Sequence, residues 1–195
     1  MKASRQQAAA SRERIVDAAS RLFRAHGLDG ISVADVMGDA GLTHGGFYSH
    51  FESKEALMAE ACTRSLAESV HRWQALCANA AGDPLPAVAA SYLTTRHRDN
   101  PGAGCIVAAL GSDVPRHAAP VRQAITLGVR ELVCVLAGAL REGTRASRRR
   151  KALASYASLV GALVLSRAVD DPALSGEILR AVSASLAPIA STRRR

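Results

Sequence analysis

An all-α fold is what this chain predicts, on three features of its sequence. Alanine and leucine dominate, while aromatic residues make up only 4% of the total; that mixture favours helices over strands. Apolar residues recur at spacings of three and four through most of the chain. No stretch reads as a strand, because none alternates apolar and polar positions between turn residues. The 195 residues suit one domain of moderate size or a small module joined to a larger one.

The opening "MKASRQQAAASRERIV" lacks the apolar core of a signal peptide. The longest uncharged stretch, residues 152–166, has 15 residues, too few for a membrane span. The expected location is therefore cytoplasmic, with no membrane partner. Cys62, Cys77, Cys105 and Cys134 form no CxxC pair, which argues against a zinc site and against a disulfide framework. The sequence shows no carboxylate pair, nucleophile elbow or phosphate loop, so neither an enzyme nor a metal or cofactor is expected. The formal charge is +8. Residues 1–56 nevertheless carry seven Lys or Arg against seven Asp or Glu, and the excess lies in "RASRRRK" (145–151) and the closing "RRR" (193–195). Such clusters suit solvated loops and tails, so net charge alone establishes no polyanionic partner.

From residue 11 to 26, Ile15, Ala18, Ala19, Leu22 and Phe23 recur at helical spacing, and Gly27 supplies a stop. Ser32 can cap a second helix, with Ile31 and Val36 as a hydrophobic staple and Val33, Val36 and Met37 as its apolar stripe. Gly41, in "AGLT", suits the left-handed conformation of a sharp reversal. Thr43 then caps a third helix reaching about Phe51, and Ser53 caps a fourth. Two short helices joined by a glycine turn and braced by a preceding helix form a helix-turn-helix.

In the third helix Phe47 and Phe51 lie four apart and face the core, leaving Thr43, His44, Tyr48 and His50 largely on the other faces. Gly45 and Gly46 occupy its first turn, each costing a helix on the order of 1 kcal/mol relative to alanine. They can merely loosen a turn. Placed where backbone N–H groups lack partners, they can also let the main chain approach a phosphate or a base edge.

Residues 11–58 resemble the DNA-binding domain of the TetR/AcrR family of bacterial transcriptional regulators. The resemblance is carried by "RIVDAASRLFRAHGLDGISVADV" and "AGLTHGGFYSHFESKEAL", with Gly41, Gly45, Phe47, Tyr48, Phe51 and Ser53-Lys54-Glu55. It implies that the third helix enters the major groove of double-stranded DNA. The implied DNA-facing set is Ser32, Thr43, His44, Gly45, Gly46, Tyr48, His50 and Lys54. Of these, Tyr48, His50 and Lys54 match phosphate-contact positions, and Thr43, His44, Gly45 and Gly46 match positions that approach bases. The family often has lysine where this chain has His44, and arginine where it has Ala34. Arg5 and Arg12 are placed to add phosphate or minor-groove contacts.

Beyond residue 54 a long helix is expected to about Ala81, broken by "GDPLP". Further helices are expected over 85–98, within 105–114, after Pro120, over 148–169 and over 173–190. The last two are apolar nearly all round, with Ala154, Ala157, Gly161 and Ala162 among larger residues. Such helices need several partners; either burial in one subunit's core or a second subunit supplies them. The resemblance favours the second, a homodimer through the last two helices that matches a palindromic operator.

The expected organisation is a helix-turn-helix domain with a basic arm over 1–56 and a larger helical domain over 57–195 for ligand binding and dimerisation. The function the resemblance implies is a repressor released by an unidentified small-molecule inducer. Trp73, Cys77, Tyr92, His97, Cys105 and Cys134 are the candidates for a pocket or sensor. Cys105 opens a helix after "NPGAG", where the dipole favours thiolate, so redox or electrophile sensing through it is the alternative; a small buried packing residue is the reading that cysteine's usual burial favours. A helical enzyme with a docking module and a nonspecific chromosomal binder are the remaining rivals.

Overall fold

The structure, a computed structural model, describes residues 2–187. Among them the regular elements are all helical: α1 (Lys2–His26), α2 (Val33–Asp39), α3 (Lys54–Ala78), α4 (Leu85–Tyr92), α5 (Thr95–Asp99), α6 (Ile106–Leu110), α7 (Ala119–Ala139), α8 (Arg145–Ala168) and α9 (Pro172–Ser185), with short 3-10 turns at His44–Ser49, Pro101–Ala103 and Val114–Arg116. No helix among the described residues is long and apolar enough to cross a membrane. The expected end of the last helix near residue 190 and the cluster Arg193–Arg195 lie outside the described residues.

The backbone divides into two compact units. The first comprises the chain up to Ser69 together with Asn100–Arg130; the second comprises Val70–Asp99 and the chain from Glu131 onward. In the first unit α1 packs on α2, on the 101–103 turn and on α6. Its core is Ile15, Val16, Ala19, Phe23, Leu28, Val36, Met37, Phe47, Leu57 and Ala61, all buried. Helix α1 begins nine residues before the expected start. Its extra turns contain a run of exposed alanines, which lose little entropy in a helix.

Two local stops behave as expected. Gly27 (φ +83°) ends α1 and Gly41 (φ +67°) follows α2, both in the left-handed region that costs a side-chain-bearing residue steric strain. The staple residues Ile31 and Val36 are both buried.

In the second unit α8 packs on α9, α5 and α4. Thr144 caps α8 by accepting from the Ser147 amide at 3.2 Å. Asp171 caps α9 through the amides of Ala173 (2.8 Å) and Leu174 (3.2 Å), with Pro172 as the first helical residue. The single helix expected over 85–98 is instead two. Leu93 leaves the helical region (φ −89°, ψ 62°). The Thr94 hydroxyl accepts from the His97 amide at 3.0 Å, and His97 Nδ1–H donates to the Tyr92 carbonyl at 2.7 Å. Side-chain bonds to the main chain thus replace the helical ladder at this point. Helix α3 ends at Ala78, three residues short of the expected stop.

Candidate nucleic-acid interface

The stretch from Ser32 to Lys54 is assembled from the caps outward. The Ser32 hydroxyl accepts from the Asp35 amide at 3.2 Å, and the Asp35 carboxylate receives the Ser32 amide at 2.8 Å and the Ser32 hydroxyl at 2.6 Å. This reciprocal box fixes the start of α2. The hydrogen bonds from Ser32 hold the Asp35 carboxyl below the usual carboxylate range. Ser32 is therefore exposed at the surface with its hydroxyl already engaged in capping.

After α2, the Gly41 amide donates to the Gly38 carbonyl (3.0 Å) and the Leu42 amide to the Met37 carbonyl (2.8 Å). These bonds satisfy the free carbonyls of the helix end and turn the chain sharply. Thr43 follows in an extended conformation and precedes the next element, but its side chain makes no capping bond. That element is a 3-10 helix, not the expected α-helix. Six residues, two of them glycine, have little α-helical stability of their own. The tighter winding still buries Phe47 fully and Phe51 to 3% exposure, and their rings stack at 5.6 Å between centroids. Tyr48 sets its ring edge-on to Phe47 at 5.2 Å yet remains 71% exposed.

The opposite surface is open. Thr43, His44 and Gly45 are exposed, Gly46 and His50 are half-exposed. A Cβ placed on Gly45 would meet nothing within 4 Å, and one on Gly46 would meet only Met37 Cε at 3.7 Å and Thr43 Oγ1 at 4.0 Å. Neither glycine is required by internal packing. Ser53 caps α3 by accepting from the Ala56 amide at 3.1 Å, which puts Lys54 at its first residue.

Arg12 departs from its expected part in a DNA-contacting arm. Its guanidinium donates to the His50 carbonyl, pairs with Glu60 and covers the Phe51 ring. It braces the end of the 44–49 turn from behind. Arg5 is exposed on α1. Arg24, which sequence reasoning did not single out, donates to the Gly102 carbonyl at 2.7 Å, to the Ser20 hydroxyl at 3.0 Å and to the Ser65 hydroxyl. It ties α1 to α3 and to the 101–103 turn.

Within the second unit, three of the pocket candidates meet. Trp73 lies edge-on to Tyr92 at 6.1 Å, and Tyr92 lies edge-on to His97 at 4.5 Å. Tyr156, which sequence reasoning missed, completes the cluster at 5.6 Å from Trp73. Burial holds His97 below its ordinary pKa, with the Arg167 and Arg72 cations adding to the effect and the bond to Tyr92 opposing it. Cys77 is half-buried with its thiol pushed up by burial, and Cys134 is exposed. Cys105 belongs to the first unit, stands immediately before α6 as expected, and is 6% exposed. Among the described residues no group of three or more His, Cys, Asp or Glu could hold a metal ion. On α8 and α9, Leu153, Val164, Leu165 and Leu174 stand 41–55% exposed, and a Cβ on Gly161 would meet nothing within 4 Å.

Residues 15–61 match the family model for bacterial regulatory proteins of the tetR family. An uncharacterized HTH-type transcriptional regulator of Bacillus subtilis (strain 168), YerO, is 30% identical over 88 residues. That match covers 45% of this chain and spans only 30% of the length of YerO. Among solved structures, the reduced form of Escherichia coli NemR superposes with a TM-score of 0.76 at 23% identity, covering 92% of this chain and 96% of that one. A TetR-family regulator from Agrobacterium tumefaciens superposes with a TM-score of 0.75 at 22% identity, covering 91% and 98%. At such identities the two structures show a common fold.

Proposed function

This chain is a member of the TetR/AcrR family in its DNA-binding domain and its fold, and on that premise we propose that it is a transcriptional repressor that binds a palindromic operator as a homodimer. The observation that carries the reading is the division of labour in residues 43–54. Phe47 and Phe51 hold the segment from inside, while Thr43, His44, Gly45, Tyr48, His50 and Lys54 are left for bases and phosphates. Residues 1–56 form the DNA-reading part in this scheme and 57–195 the ligand-binding and dimerising part.

The exposed leucines and valine of α8 and α9 support a dimer, since apolar side chains of that size gain free energy by leaving water. The two-fold axis would repeat the reading segment on the two half-sites of a palindrome. The aromatic cluster of Trp73, Tyr92, His97 and Tyr156 supports a small-molecule inducer whose binding selects a dimer unsuited to DNA. Sensing through Cys105 is weakened by that residue's burial.

The test is footprinting by the full-length protein on the DNA upstream of its own gene, paired with run-off transcription from the same fragment. A protected palindrome and reduced transcript are expected. Lys54→Ala and Tyr48→Phe should weaken binding to every sequence, with Lys54→Ala lowering the salt slope by roughly 0.9 for each lost phosphate contact. A protein that protects no site, or binds all duplexes equally, is not an operator-specific repressor.

A further inference from the structure

We infer that α8 pairs with α8 of a second copy of this chain in antiparallel sense, and that the charges at its two ends select that direction. The inference rests on the reading above that the last two helices dimerise, and it adds the orientation and the side chains that set it.

It starts from how charge is distributed along one helix. Residues 145–151 hold five Lys or Arg and no Asp or Glu, residues 152–166 are uncharged, and residues 168–179 hold three Asp or Glu and no Lys or Arg. Some of this charge is engaged inside the subunit. Arg148 donates to the Leu140 carbonyl at 3.1 Å, Lys151 pairs with Asp83 at 2.7 Å, and Arg167 turns inward to the carbonyls of His97 (2.7 Å) and Arg98 (3.0 Å). Arg145, Arg149 and Arg150 are exposed at one end, Asp170 and Glu177 at the other. Among the described residues these five make no ion pair or side-chain hydrogen bond.

Within one subunit that arrangement is electrostatically uphill. Cations crowd the positive end of the α8 dipole, with no acid in its first turn, and carboxylates follow its negative end. Arg145 and Arg149, four apart, also repel one another. Between the charged ends the exposed face is continuous: Arg150, Leu153, Ala157, Gly161, Val164 and Ala168 follow at steps of three or four, so they share one stripe about 27 Å long. Leu153 and Val164 on it are 43% and 41% exposed. A stripe that keeps this spacing over its whole length suits a neighbour lying along the helix rather than across it.

A two-fold axis can pair α8 with its copy in either sense. The parallel sense sets Arg149 and Arg150 against the same arginines of the copy, like charge on like. The antiparallel sense sets them against its acidic end. Two helices approach most closely where their side chains are smallest, here at Ala157 and Gly161, and a Cβ on Gly161 would meet no atom within 4 Å beyond its own stretch of helix. An axis midway between those two residues puts Arg150 opposite Ala168 of the partner subunit, with Asp170 of the partner subunit two residues farther on. Symmetry repeats the contact at the other end of the pair. The apolar stripe supplies the affinity, and the end charges supply the direction, by attraction in one sense and repulsion in the other.

The test is a charge-reversal series in the full-length protein, with the dimer constant measured by fluorescence-detected sedimentation at about 0.05 M and about 0.5 M salt, which bracket a Debye length of about 10 Å. One variant, Arg145→Glu/Arg149→Glu/Arg150→Glu, makes both ends acidic; the other, Asp170→Lys/Glu177→Lys, makes both basic. Asp171 stays in place because it caps α9. Each variant should weaken the homodimer by about tenfold or more at low salt, and high salt should narrow the gap. The combined variant, with its ends exchanged, should return to within about threefold of the wild type. An equimolar mixture of the two separate variants should form heterodimers, which also shows that both are folded. A parallel pair predicts reversed variants that dimerise as well as the wild type, and that result overturns the proposal. So does a combined variant no stronger than its parents, or a mixture that stays monomeric. In those cases a dimeric wild type leaves the dimer reading standing, whereas a monomeric wild type overturns both.

Discussion

The guanidinium of Arg12 lies 4.1 Å from the centroid of the Phe51 ring while donating to the His50 carbonyl and pairing with Glu60. One cation thereby joins α1, the end of the 44–49 turn and α3. A turn of six residues has too few internal bonds to hold its own angle, so its orientation depends on such outside contacts.

Replacing Arg12 with methionine, which keeps the apolar stem, should cost about 1 kcal/mol in urea denaturation. That figure combines a half-exposed cation–π contact with a charge-assisted hydrogen bond, discounted for solvent. DNA affinity should fall with the salt slope unchanged, because no phosphate contact is removed. A slope lower by roughly 0.9 would instead place Arg12 on the DNA backbone.

The Ser32–Asp35 box predicts an acid limb. Because hydrogen bonds from Ser32 depress the Asp35 carboxyl, its contribution is present above the unfolded value, near pH 3.9, and is lost as pH falls through the lower folded value. Urea midpoints of the wild type and Asp35→Ala should differ near neutrality and converge at the acid end. Ser32→Ala should lose roughly 1 kcal/mol as a missing cap. A gap that persists in strong acid would mean that Asp35 acts otherwise.

Gly161→Leu should separate the protomers without unfolding them. The position faces open space within one chain, so in the proposed dimer the added side chain would be opposed across the interface and not within the protomer. Sedimentation should report a monomer and circular dichroism a nearly unchanged helical spectrum. An intact dimer would move the interface away from this part of α8.

Alkylation with iodoacetamide at neutral pH should begin at Cys134, which is exposed, and proceed more slowly at the half-buried Cys77. Cys62, pushed up to about 12 by burial against an opposing pull from Arg24, should react only on unfolding. The buried Cys105 should behave like Cys62. Mass spectrometry after short exposures gives the order; early labelling at Cys105 would revive the sensor alternative.

The parts of this fold that were legible in the sequence are those decided locally. Gly27, Gly41, Ser32 and Ser53 announce helix ends because a cap or a left-handed residue acts within three or four positions of itself. The Phe47–Phe51 spacing likewise marks the buried side of the 44–51 segment. Its winding was not legible, since 3-10 and α-helical turns differ by one residue in bonding and the choice follows from packing. The break after Tyr92 depends on Thr94 and His97 bonding back to the main chain. Tyr156 joins Trp73, and Arg12 joins Glu60, only through tertiary folding, which leaves no mark on local spacing.

The space around Gly45 bears on how such a protein changes its target over generations. Acquiring a new reading side chain often carries a penalty in folding, and that penalty filters which mutations survive. Here a Cβ would meet no atom within 4 Å beyond its own stretch of chain, and the neighbouring Phe47 and Phe51 hold the segment regardless. On the proposed reading, a substitution at residue 45 would be judged by selection on the DNA it favours rather than on whether the protein still folds.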